Sequence, residues 1–143
     1  MKHTDMIIAR LAEQSDVDFG PLSTYRRLVG GDAIPVFTGV QTCAPGYRTK
    51  FHSHPYTELL FVIEGEAFFC FEGRENERHI LAAGDMIALP PGIPHAFGNA
   101  GHNTLRVLGI HNSPERVVNF SDGTSTGAHG FADYGAGVKS HMT

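Results

Sequence analysis

At 143 residues, with 41% hydrophobic and 18% charged side chains, the chain has the composition of one globular domain that needs no disulfide framework. A formal charge of −4 at pH 7, with a pI near 6.1, excludes the basic footprint of a protein that binds nucleic acid or an anionic membrane. Seventeen glycines and eight prolines favour a turn-rich β architecture over a helix bundle.

The first residues, "MKHTDMIIAR", lack the long apolar region of a signal peptide, and no apolar run reaches membrane-spanning length, so a cytoplasmic location is expected. "DMIIARLAEQ", residues 5 to 14, reads as a short helix or an N-terminal strand inside an extension over residues 1–24. From Tyr25 the chain breaks into short β-prone runs: "YRRLV", "PVFTGVQTC", "ELLFVIEG", "AFFCFEG", "RHILAAGD", "MIALPPG", "HAFGN" and "TLRVLGIH". Each ends at Gly, Pro or Asn, at the spacing of a sandwich or barrel over residues 25–120. "EGEAFFCFEGRENERHIL" reads as consecutive hairpins, with Gly65 and Gly73 supplying positive φ at the turns. The Gly/Ser/Thr-rich residues 121–143 form a tail that Phe131 and Tyr134 could anchor to the body. Cys43 and Cys70 make no metal-type pair; they are expected as small buried hydrophobes, with a catalytic thiol as the alternative.

The chemistry concentrates in "GYRTKFHSHPYTELLFVIEG", residues 46 to 65. On a strand, residues two apart share a face, so His52 and His54 converge only if this segment is extended. Pro55 bends the chain and allows Glu58 to return its carboxylate to the same side. Two imidazoles and a carboxylate suit a divalent transition ion. In "GDMIALPPGIPHAFGN", residues 84 to 99, His95 follows a proline-stiffened turn and could complete a three-His, one-Glu set. Such a set leaves up to two positions of an octahedron for water, substrate or dioxygen.

These residues resemble the two signature motifs of the cupin superfamily. Gly46, His52, His54, Glu58 and Gly65 fit the first at every signature position; Gly84, Pro90, Gly92, His95 and Asn99 fit the second. The resemblance implies an all-β, double-stranded β-helix (jelly-roll) barrel holding one divalent metal ion (iron, manganese, nickel or zinc) through His52, His54, Glu58 and His95. It also implies a homodimer and an enzyme that takes a small-molecule substrate, an organic acid or carbonyl compound. Oxygen-dependent cleavage is placed ahead of isomerisation or elimination, and a non-catalytic sensory cupin is the alternative of another class. Glu58 is then both ligand and a possible proton shuttle.

Outside the ligand set, Phe97 lies two residues after His95 on the same strand face and is expected in the pocket wall. Tyr56, with Tyr47, Arg48 and Lys50, flanks the metal motif, and any of them could orient an anionic or enolisable substrate or be solvated; Gln41 and Arg106 share that ambiguity. His111 ends a strand whose same-face companions are Val107 and Gly109. It could act inside as a proton-transfer group, but a position on the rim is the simpler expectation. His102 reads as a solvated turn residue, and His129 and His141 belong to the tail.

Overall fold

The computed structural model describes residues 5–31 and 34–125. The expectations for Phe131, Tyr134, His129 and His141 lie outside these residues. Among the described residues eleven strands follow one another: β1 (Val17–Asp18), β2 (Ser23–Gly30), β3 (Phe37–Cys43), β4 (His52–Ser53), β5 (Glu58–Glu64), β6 (Glu66–Phe71), β7 (His79–Ala82), β8 (Met86–Leu89), β9 (His95–Asn99), β10 (Leu105–His111) and β11 (Asn119–Phe120). All eight of the β-prone runs become strands. Residues 5–14 give neither a regular helix nor a strand, only a 3-10 turn at Leu11–Glu13. Strand pairing begins before Tyr25, where Val17 and Asp18 align with Tyr25 and Thr24. No helix among the described residues is long and apolar enough to cross a membrane.

The strands form two antiparallel sheets in the jelly-roll arrangement, in the orders β1-β2-β3-β10-β5-β8 and β11-β4-β9-β6-β7. Alternation of side chains places one face of each sheet in a shared core. Leu60, Val62 and Leu89 of the first sheet meet Ala67, Phe69 and Phe97 of the second, with Leu105 and Val107 of β10 beside them. Phe69 and Phe97 stack within this core with ring centroids 5.4 Å apart.

One expected hairpin is absent. β5 and β6 are joined by Gly65 alone and do not pair: β5 lies between β10 and β8, β6 between β9 and β7. Gly65 is therefore a corner at which the chain changes sheet. Its φ is +83°, and a side chain there would collide with the Thr104 carbonyl. The next pair, β6 with β7, is the antiparallel hairpin that the sequence suggested.

Candidate metal centre

Two cross-strand pairs build the site. In the second sheet His52 of β4 stands opposite His95 of β9. In the first, Glu58 of β5 stands opposite His111 of β10. Directly opposed residues of an antiparallel pair share a face, with Cβ atoms about 4.5–5.5 Å apart. Each sheet thus presents two ionisable side chains to the interior. His54, in the bend leaving β4, joins them: its ring centroid is 5.2 Å from His52, 5.4 Å from His95 and 4.8 Å from His111.

All five side chains are buried. The rim position expected for His111 is therefore corrected: β10 buries every second residue, and His111 follows Leu105, Val107 and Gly109 on the inward face. Register places it there, because its partner is the inward-facing Glu58. The metal-ligating atoms of His52, His54 and His95 lie within 4.8 Å of one another, as do those of His54, Glu58 and His111.

The tautomers of the three motif histidines follow from their partners. Nδ1 of His52 is 2.7 Å from the Lys50 carbonyl oxygen, that of His54 is 2.7 Å from Val117 O, and that of His95 is 3.1 Å from Ile93 O. A carbonyl oxygen can only accept, so each Nδ1 carries the proton and donates it. In the neutral ring Nε2 is then a lone pair. Nε2 of His54 and of His95 is buried with no hydrogen-bond partner, 2.9 and 3.6 Å from Glu58 Oε1. A lone pair facing a carboxylate oxygen at that range is repulsive unless a positive charge lies between them. An extra proton or a metal ion can supply it. Burial, reinforced by neighbouring His95 and His54, pushes His52 well below its ordinary 6.5, so protonating the whole cluster is unfavourable. The donor set fits a divalent metal ion, with backbone carbonyls holding the imidazoles in the ligating tautomer.

Glu58 remains ionised. Burial alone would raise its pKa, but adjacent His54 and His111 outweigh burial and hold it well below 4.5. Its second oxygen, Oε2, lies 3.3 Å from His111 Nε2. On the far side of that ring, Nδ1 is 2.7 Å from the Tyr56 hydroxyl, which accepts the Val117 N–H at 2.8 Å and lies 3.0 Å from Val117 O. The Tyr56 proton has two acceptors within reach. The Glu58 charge favours the arrangement in which Tyr56 donates to Nδ1 and His111 keeps its own proton on Nε2, facing the carboxylate.

The cavity at this cluster, about 30 Å³, is large enough for an ion and a water-sized group. Phe97, Leu60 and Val107 give it apolar walls; Tyr25, Gln41 and Arg116 add polar ones. Gly109 leaves the space open, and Gly39, directly paired with it across β3 and β10, makes room for the Tyr25 ring. Phe97 thus lines the cavity, whereas Tyr56 acts behind His111. Tyr47 is buried and its hydroxyl accepts a hydrogen bond from Gln41 Nε2 at 2.8 Å. Three flanking cations point elsewhere: Arg48 packs on Phe51 and Phe68, Lys50 pairs with Asp122 at 2.9 Å, and Arg106 sits 3.9 Å from Glu64. Neither cysteine lines the cavity, and burial pushes the Cys43 thiol up to about 12, out of nucleophile range. Sequence reasoning did not single out Tyr25 or Arg116. Arg116 lies in a connection with no motif, and no local pattern announces where its side chain goes.

Comparison with known proteins agrees with this geometry. The family model for the cupin domain matches residues 39–111, half of the chain, and takes in the four histidines of the site and Glu58's strand. An acireductone dioxygenase of Emericella nidulans is 31% identical over 111 residues, covering 72% of this chain and 60% of that protein. The dimethylsulfoniopropionate lyase DddQ of Ruegeria pomeroyi is 46% identical over 51 residues, 36% of this chain and 24% of that one. A solved cupin-like protein from Thermotoga maritima superposes with a TM-score of 0.59 at 26% identity, over 67% of this chain and 79% of its own. The chain spans less than two thirds of the length of the curated relatives it matches. On sequence, fold and donor set together, the protein belongs to the cupin family.

Proposed function

We propose that this protein is a metal-dependent enzyme acting on a small organic acid or carbonyl compound, with oxygen-dependent cleavage as its reaction. The observation that carries the reading is the convergence of buried, correctly tautomerised Nε2 atoms on the Glu58 carboxylate. When bound, a divalent ion such as iron, manganese, nickel or zinc supplies Lewis acidity and, if redox-active, electrons.

The chain's own residues do the rest. Lys50, Ile93 and Val117 carbonyls fix the three imidazoles; His111 and Tyr56 hold the second oxygen of Glu58. Should Glu58 leave the ion, His111 Nε2 is the group placed to exchange a proton with it. Phe97, Leu60 and Val107 exclude bulk water, which strengthens every charge interaction inside. A cavity of about 30 Å³ admits the reacting end of a small molecule rather than a polymer. Similarity to an acireductone dioxygenase over 72% of the chain supports the oxygenase branch. The 46% identity to a lyase across 51 residues supports elimination as the second reading.

The test is metal analysis of protein purified without chelator, followed by oxygen-electrode assays of iron, manganese and nickel forms against small acids and diketones. Stoichiometric metal and oxygen uptake with at least one compound are expected. Metal without oxygen uptake, but with product formed under nitrogen, would move the assignment to the lyase branch.

A further inference from the structure

We infer that the outer face of the first sheet is the surface on which a second copy of this chain docks, with residues 5–10 of each copy taking part in the contact. This face points away from the cavity, so its role is independent of the reaction at the metal centre. Alternation along the strands identifies it. Leu60 and Val62 of β5, Val107 of β10 and Leu89 of β8 point into the core, so the residues between them point out. Register then lines up Val40, Leu108, Phe61 and Met86 in one row across β3, β10, β5 and β8. The neighbouring row holds Ile110 and Leu59. An antiparallel sheet with one face in water alternates apolar-in and polar-out. Here the outward positions are apolar too, and Met86 is 54% exposed. An apolar patch that spans several strands marks an interaction surface.

The second sheet shows how this chain treats an apolar outer face that it covers itself. Phe68, Cys70 and Ala96 form a cluster on that side, apart from the inward Ala67, Phe69 and Phe97, and all three are buried. Phe68 is 5% exposed, with the guanidinium carbon of Arg78 3.9 Å from its ring centroid and that of Arg48 at 5.8 Å. Cation–π contact lets two long side chains shield an aromatic ring from water. On the first sheet Leu59, Phe61 and Leu108 are only half-buried beside the open Met86.

Area, charge and the N-terminal segment select a second copy as the occupant. Arg26 alternates with the inward Tyr25 and so stands on the outer side of β2. Its Nε lies 2.7 Å from Asp16 Oδ1 and its Nη1 3.1 Å from the Leu11 carbonyl oxygen, which anchors the chain's first turn on this side of the sheet. The residues leading to that anchor leave Met6 89% and Ile8 69% exposed. One side of one chain thus carries both an apolar face and an apolar segment projecting beside it, and a two-fold axis lets two copies bury each with the other. The charged groups bordering the face cancel within one copy, Arg26 with Asp16 and Arg106 with Glu64 at 3.9 Å. Two chains of net charge −4 can therefore meet here without opposing like charges, and a charged partner finds no unmatched charge to read. Four strands over about five residues give on the order of 300 Å² of flat sheet. A stable pair needs about 800 Å² from each partner, so the sheet alone is too small and the N-terminal segment has to contribute.

Sedimentation equilibrium of the full chain should show a dimer, in metal-loaded and chelator-treated protein alike. Phe61→Glu, which puts a charge in the middle of the face, should give a monomer whose metal stoichiometry is unchanged. Ile8→Asp should raise the dimer dissociation constant about tenfold, as loss of an apolar anchor does at other interfaces. Ile80→Glu is the control: Ile80 is 57% exposed but belongs to β7 of the other sheet, and its variant should stay dimeric. A monomeric wild type overturns the proposal. So does a dimer that survives Phe61→Glu, one that Ile80→Glu breaks, or an unchanged dissociation constant in Ile8→Asp. Should Phe61→Glu not fold, Met86→Glu, at a solvent-exposed position of an edge strand, carries the same decision.

Discussion

Glu58 and His111 face each other across β5 and β10, with Oε2 3.3 Å from Nε2, while Oε1 of the same carboxylate is turned to His54 and His95. One carboxylate thus serves two purposes. One oxygen completes the donor set, and the other is held by a histidine that is itself held by Tyr56.

Removing that support should loosen the ion without abolishing the site. His111→Leu is expected to weaken metal binding roughly 10–100-fold, as loss of partners behind a ligand does elsewhere. His111→Gln, which can still donate to Glu58, should lose less. Competition with a metallochromic chelator gives the affinity; stoichiometry at saturating metal should stay at one. His52→Ala, by contrast, should lose stoichiometry. Equal affinity in wild type and His111→Leu would show that His111 does not position Glu58.

Gly109 faces Glu58 Oε2 across the cavity, and a Cβ there would make only ordinary contacts, 3.7 Å from that oxygen and 3.8 Å from Leu60. Gly109→Ala should therefore fold, with stability unchanged or raised by about 0.5–1 kcal/mol through lost unfolded-state entropy. Its methyl group occupies space a substrate needs. Turnover or ligand binding should fall while the thermal midpoint holds, a separation that a merely structural glycine would not give.

Acid should destabilise the metal-free protein early. Burial first, despite Glu58 nearby, lowers His111 to about 3 from 6.5, and burial lowers His52 well below 6.5. Between those values the unfolded chain binds more protons than the folded one, so stability rises with pH and is lost as pH falls below 6.5. Two such groups give a slope of up to about 2.7 kcal/mol per pH unit. Glu58, lowered below 4.5, adds a loss in the same direction at lower pH. Urea midpoints of chelator-treated protein at pH 7, 6 and 5 should drop progressively, and His111→Gln should flatten the fall. Midpoints that do not move over this range would contradict the buried neutral imidazoles.

Metal loading should stabilise the fold by mass action. Because the donor atoms converge only in the folded chain, an ion at 100 times its dissociation constant adds about 2.7 kcal/mol. Differential scanning calorimetry with and without chelator should show a higher midpoint for the loaded form. Glu58→Gln should reduce that difference, since it leaves an uncharged oxygen in the donor set.

That His52, His54, Glu58 and His95 come together was legible because their spacing is local: His52, His54 and Glu58 lie within seven residues, and His95 follows its own turn motif. His111 was not, because its inward orientation depends on the register of β10 against β5, set by pairing 53 residues distant. The hairpin assigned at Gly65 failed for a related reason. A positive-φ glycine marks a tight change of direction, but a hairpin turn and a corner between sheets ask for the same residue. Arg116 reaches the cavity from the connection between β10 and β11, where tertiary contact with Phe19 and Tyr25 places it.

The Val117 peptide holds His54 through its carbonyl and Tyr56 through its N–H, and it sits beside Arg116 on the same short connection. Residues 112–118 are therefore a poor place to look for new substrates by random mutagenesis. A library there disturbs the His54 and Tyr56 hydrogen bonds together, so clones chosen for a wider entrance will tend to be clones with a disordered donor set. Diversity placed at Leu60, Val107 or Phe97, which give the cavity its apolar walls, would vary the shape of the chamber and leave its chemistry wired as it is.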